Sequence, residues 1–160
     1  MKKIFSIFTV LFLITGCKPE KLPKEVMESL VTIHSIDDTG MQSKLITSIM
    51  VDGKQILVSK IPLLSNHDIM SCEPFEYRQD QYGLEFTLTD KGRIQWQQAA
   101  VENRGMTGVL AIGGRFKCFM KFSREIGGYK VKIAAPLSKE EADEISENIA
   151  RNYIAIKEES

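Results

Sequence analysis

Residues 83–105, Gly-Leu-Glu-Phe-Thr-Leu-Thr-Asp-Lys-Gly-Arg-Ile-Gln-Trp-Gln-Gln-Ala-Ala-Val-Glu-Asn-Arg-Gly, change their apolar period in mid-run. Leu84, Phe86 and Leu88 recur every second residue, which places all three on one face of a half-buried strand. Thr89 or Asp90 then supplies an oxygen suited to a helix N-cap. Beyond it Ile94, Gln98 and Val101 lie on one side of a helix running to about Asn103, with Trp96, Ala99 and Ala100 nearby, and Gly105 is a plausible stop. A strand that feeds directly into an amphipathic helix is the unit around which the remaining chain is read.

Downstream, Val109 to Ile112 is a short apolar strand and Gly113-Gly114 a turn. Arg115 to Phe122 alternates Phe116, Cys118 and Met120 against Lys117, Phe119 and Lys121, so both of its faces carry something apolar. Gly127-Gly128 precedes a strand over Tyr129 to Ala135. Ser138 and Glu141 have capping-box spacing, and Ala142, Ile145, Ile149 and Tyr153 form the apolar stripe of a closing helix. Upstream, Lys44 to Val51 and Lys54 to Ile61 are β-rich runs joined by Asp52-Gly53, a dipeptide that tolerates positive φ at both hairpin positions. Leu30 to Ile36 alternates as a strand before turn chemistry at Asp37 to Gly40, and Lys24 to Leu30 reads as a short helical lead-in. Asp68 to Tyr77 is extended but interrupted at Pro74, with a turn over Gln79 to Tyr82. The fold class expected is α+β: antiparallel sheet with two amphipathic helices packed on one face.

The N-terminus has a different character. Lys2 and Lys3 precede an apolar run from Ile4 to Ile14, then the small residues Thr15 and Gly16. As a helix that run rises roughly 16 Å, well short of the ~30 Å hydrocarbon layer, so it reads as a signal rather than a lasting span. Ile14-Thr15-Gly16-Cys17 resembles the bacterial lipobox, which implies cleavage after residue 16 and a diacylglyceryl group on Cys17. The expected organisation is a signal peptide over 1–16, a lipidated tether over 17–23 kept extended by Pro19 and Pro23, and one α+β domain over 24–160. Lys18 follows the lipidated residue, and sorting by that position favours the outer membrane, facing the periplasm.

Composition narrows the function. The signal carries two of the 21 Lys+Arg residues against 21 Asp+Glu, so the mature chain is near neutral and lacks the positive excess that nucleic-acid binding requires. The two remaining cysteines, Cys72 and Cys118, are expected to form a disulfide in an oxidising periplasm, with two buried free thiols as the alternative. Closing that loop would stabilise the fold by about 4 kcal/mol. His34 and His67 stand in no metal-ligand spacing with them, so no metal and no cofactor is expected.

From about Lys54 to Ile149 the chain resembles the head of the first periplasmic domain of SecD, a subunit of the Sec protein-export machinery. Ile61-Pro62-Leu63-Leu64-Ser65 with Asp68-Ile69, then Leu84-Glu85-Phe86-Thr87-Leu88-Thr89-Asp90-Lys91-Gly92, carry the likeness. Asn103-Arg104-Gly105 with Leu110-Ala111-Ile112, Glu125-Ile126-Gly127-Gly128, and Leu137 to Ala142 continue it in order. Two departures stand out. Lys117-Cys118-Phe119-Met120 replaces the family's "V-x-S-A-P", and no transmembrane helices follow the domain. The resemblance implies a fold and contact with polypeptide, not a translocation activity.

No nucleophile motif, phosphate loop or acid–base constellation is visible. Glu140, Glu141, Asp143, Glu144 and Glu147 suit the solvated first turns of a helix. Trp96, Phe116, Phe119, Phe122 and Tyr129 remain, and Phe116, Phe119 and Phe122 are the candidates for a partner-binding surface. The expected function is a membrane-anchored, non-enzymatic interaction module for envelope proteins or unfolded polypeptide, or an accessory of envelope stress or assembly. The alternative is a small-ligand-binding or hydrolytic enzyme whose site forms only in the fold, pairing His34 or His67 with a carboxylate.

Overall fold

The computed structural model describes residues 30–37, 45–122 and 128–158. The signal peptide, Cys17, the tether, the lead-in from Lys24 up to residue 29, most of the turn after Asp37 and the Glu125-Ile126-Gly127 part of the resemblance lie outside the described residues. Within them the elements run β1 (Val31–Ser35), β2 (Ile46–Val51), β3 (Lys54–Ser59), β4 (Leu64–Ser65), β5 (Ile69–Arg78), β6 (Gln81–Leu88), α1 (Asp90–Glu102), β7 (Thr107–Ile112), β8 (Arg115–Lys121), β9 (Lys130–Leu137) and α2 (Lys139–Glu158). A 3₁₀ turn over Asn66–Asp68 joins β4 to β5.

The class is α+β, antiparallel throughout, but the strands divide into three sheets rather than one. Their orders are β4-β1-β7-β8, β2-β3 and β5-β6-β9. β8 abuts β9, and one core fills the space that the two larger sheets share with α2. Leu84, Phe86 and Leu88 of β6 are fully buried in it, as their alternation requires. They meet Val31 and Ile33 of β1, Leu110 of β7, and the stripe Ala142, Ile145 and Ile149 of α2. The expected turn over Gln79 to Tyr82 is shorter than its sequence suggests: residues 79 and 80 form it, with Asp80 at φ 56°, and β6 begins at Gln81. β5 runs through Pro74 because it is an edge strand, where a missing N–H costs no ladder bond.

α1 shows the other face from the one its apolar residues suggest. Ile94 and Val101 are 57% and 63% exposed, while Gly92, Ala99 and Ala100 are buried and Trp96 packs against the core. Close approach decides this. Thr89 caps the helix by accepting the Gly92 N–H at 3.0 Å, and the Thr89 N–H donates to the Asp68 carbonyl. A Cβ on Gly92 would stand 2.2 Å from that same carbonyl oxygen. The Asp68 carboxylate in turn accepts from the N–H and hydroxyl of Ser65, both at 2.9 Å, and Asn66 accepts the Val31 N–H. The 3₁₀ turn is thus a buried polar joint between β1, β4 and α1. At α2, Ser138 accepts the Glu141 N–H as expected, and the Glu141 carboxylate pairs with Lys117 of β8.

Candidate functional site

β1 alternates between two environments. Val31 and Ile33 enter the core, so Thr32 and His34 project from the opposite face of the sheet. Val109 and Ala111 of β7, which pair with His34 and Thr32, lie on that second face too. β8 joins them through a β-bulge. Leu110 pairs with Cys118 but Ala111 pairs with Phe116, so Lys117 is an additional residue without a counterpart. The bulge resets the alternation. Phe116 and Phe119, which simple period-two reading places on opposite faces, emerge on the same one, with ring centroids 4.9 Å apart and planes at 58°. Phe119 is 43% exposed.

The hairpin β2–β3 stands over this face. Asp52 and Gly53 both take positive φ, 49° and 76°, as a two-residue turn of the type that matches strand twist. Thr47, Ile49 and Val58 share the hairpin face that looks toward the sheet. Between them lies an open cleft of about 240 Å³, lined by Thr32, His34, Thr47, Ile49, Val58, Ser59, Lys60, Val109, Ala111, Gly114 and Phe116.

The end of β1 ties down the outer edge of β3. The Asp37 N–H donates to the Leu57 carbonyl at 2.9 Å, and His34 Nδ1 lies 2.8 Å from the Ser59 carbonyl. A carbonyl only accepts, so Nδ1 carries the proton, and Nε2 is left to accept from the Thr32 hydroxyl at 2.9 Å. Burial lowers the His34 pKa, since desolvation penalises the imidazolium more than the Ser59 carbonyl favours it. Among the described residues no carboxylate lines the cleft. His34 thus ties β1 to β3 through its side chain.

The other sequence candidates fall elsewhere. Phe122 is 2% exposed, with its ring 5.6 Å from that of Trp96, and belongs to the core rather than to a partner surface. The expected disulfide is not formed: Cys72 on β5 and Cys118 on β8 are free thiols packed into the common core. Each behaves there as a small hydrophobe, and burial pushes the thiols up to about 12 and about 11, so both are poor nucleophiles. His67 is exposed in the 3₁₀ turn, and no metal-binding cluster occurs among the described residues. The outer face of β5-β6-β9 is charged but self-neutralising. Glu85 contacts Lys130 at 2.5 Å and Lys132 at 3.0 Å, and those hydrogen bonds, Lys130 first, hold its carboxyl below the usual range. Sequence reasoning missed Thr32, Thr47, Ile49 and Val58, and named His34 only as a candidate for pairing with a carboxylate. The alternation in Leu30 to Ile36 was the available signal for Thr32 and His34.

No protein-family model matches this chain, and no curated protein matches it. Four solved chains are similar in structure. One is a membrane component, SecDF, that enhances protein export: the TM-score is 0.58 at 15% identity, over 76% of this chain and 61% of that one. Another is SecDF in its super-membrane-facing form, with a TM-score of 0.60 at 16% identity, over 79% of this chain and 19% of that one. This chain thus spans less than two thirds of the first and about a fifth of the second. At such identities the likeness is one of fold, and it supports the SecD-like architecture expected from the ordered motifs.

Proposed function

We propose that this protein is a lipid-anchored module of the bacterial envelope, held by an acylated Cys17 and facing the periplasm from the outer membrane, that binds polypeptide without catalysis. The observation that carries the reading is the open cleft lined by Phe116, whose ring packs against the part-exposed Phe119 on the same sheet face. Its walls offer apolar contact from Ile49, Val58 and Val109, a few hydroxyls, one neutral imidazole and the single cation Lys60, a lining suited mainly to uncharged side chains. The fold of a component that enhances protein export supports placing that surface in contact with export-related proteins or with unfolded chains. Among the described residues no helix is long and apolar enough to cross a membrane, so attachment in this reading rests on the lipid.

The test is binding of a reduced, alkylated and permanently unfolded polypeptide to the full chain, followed by fluorescence anisotropy. Affinity in the micromolar range is expected, on the order of 8 kcal/mol. Phe119→Ser should weaken it about tenfold, as for an interface anchor, at a modest stability cost of about 1 kcal/mol because the ring is only part-buried. An unfolded polypeptide that ignores the protein, or that binds Phe119→Ser and Phe116→Ala as tightly as the parent, sinks this reading.

A further inference from the structure

The hairpin carries one property that the cleft alone does not explain. Because Val51 and Lys54 close a two-residue turn, hydrogen-bonded pairs alternate with non-bonded ones away from it. Val51, Ile49 and Thr47 exchange bonds with β3. Ile46, Ser48 and Met50 therefore direct their N–H and C=O groups outward, along an edge that has no neighbouring strand among the described residues. Ser48 is exposed and Met50 is 66% exposed, so this edge is open to solvent.

Exposed strand edges in natural proteins are normally blunted. The remaining edges here follow that rule. β4 has two residues. β5 contains Pro74 and is covered by α2, whose Ser146 hydroxyl donates to the Cys72 carbonyl. β9 carries Lys130, Lys132 and Pro136, β8 carries Arg115, Lys117 and Lys121, and β3 is tied by Asp37 and His34. Among the described residues β2 alone, Ile-Thr-Ser-Ile-Met-Val, has no charge, no proline and no covering element. It also forms the wall of the cleft that faces Phe116.

We infer that the β2 edge is a strand-addition site, at which an extended polypeptide pairs with Ile46, Ser48 and Met50 and turns alternate uncharged side chains into the cleft toward Phe116 and Phe119. Main-chain pairing supplies affinity that is independent of the guest's sequence, and the cleft selects apolar residues at every second position. An extended chain is the occupant because an unsatisfied row of backbone groups is complementary to a strand and not to a helix or a compact ligand. This inference rests on the polypeptide-binding reading above and specifies its mode.

The experiment uses the full chain and a peptide of about ten residues, a typical strand length, alternating valine with threonine. Binding should protect the amides of Ile46, Ser48 and Met50 from hydrogen exchange and leave those of β7 unchanged. Ser48→Pro removes an outward N–H that β3 does not use, and should weaken binding at least tenfold, while Ser48→Ala should not. In a fold-independent arm, N-methylation of the peptide at every second residue should abolish binding in one register only. Binding that depends on Phe119 but leaves the β2 amides unprotected and tolerates both N-methylated registers overturns strand addition while the cleft reading stands. No binding at all overturns both. Concentration-dependent protection of the same amides without peptide assigns the edge to a second copy of the chain and also overturns it.

Discussion

Gly92 is where a single atom decides most. Its missing Cβ lets the first turn of α1 lie on the Asp68 carbonyl, and an alanine there would require a 2.2 Å contact with main-chain oxygen. Backbone on both sides leaves nothing flexible to yield, so Gly92→Ala should destabilise the protein by about 2–4 kcal/mol, despite alanine's better helix propensity. Thr89→Ala removes only the cap to the Gly92 N–H and should cost about 1 kcal/mol. Urea unfolding of the two variants checks this; a Gly92→Ala protein as stable as the parent would show that the helix can shift away. Thr89, Gly92, Ser65 and Asp68 were all visible in the sequence as ordered pieces of a resemblance. Their common purpose was not, because nothing local to either segment says that one packs on the other. The same gap explains the cysteines. Redox context predicted a bond, whereas packing placed each thiol among apolar neighbours in a core where it serves as filler.

Elements with strong local chemistry were legible in advance. The Asp52-Gly53 hairpin, the β6 alternation and the Ala142–Ile145–Ile149 stripe all depend on residues close together in the chain, and all form as expected. Two readings failed for physical reasons that act at a distance. The β8 bulge is set by its pairing with β7, and it turns Phe116 to the face of Phe119; period-two counting has no term for an additional residue. α1 presents its small residues inward because depth of docking outweighs side-chain hydropathy there. The junction of β1 with the hairpin carries its own prediction. His34 is neutral, donating from Nδ1 to Ser59, and its folded pKa is lowered by burial. The unfolded chain then binds more protons than the folded one below about pH 6.5, so stability rises with pH in that range. The contribution is fully present above the unfolded value and is lost as pH falls through the folded value. His34→Asn should flatten that limb of a stability–pH profile measured between about pH 5 and 7.5. An identical slope in the variant would assign the effect to other groups.

For the whole molecule the proposed function requires a polypeptide-binding surface to be kept at the membrane. Among the described residues the core is assembled between Val31 and Ile149, drawing on two sheets and α2. In the proposed reading the anchor acts separately from that core, and the Cys17 variant tests it. One chain of acyl carbons gives only marginal attachment, but a lipidated cysteine with several chains is effectively fixed, since each buried methylene contributes about 0.8 kcal/mol. Charge adds little of its own: the chain has a formal net charge of zero, so attraction to anionic headgroups is weak. Cys17→Ser removes the acceptor of the lipid and should move the protein from the membrane pellet to the soluble fraction. Its thermal unfolding midpoint and its affinity for the unfolded polypeptide should stay at the parent's values. Membrane association surviving the substitution would place the anchor elsewhere in the chain. Loss of folding together with release would mean that the segment before Val31 stabilises the domain as well as tethering it.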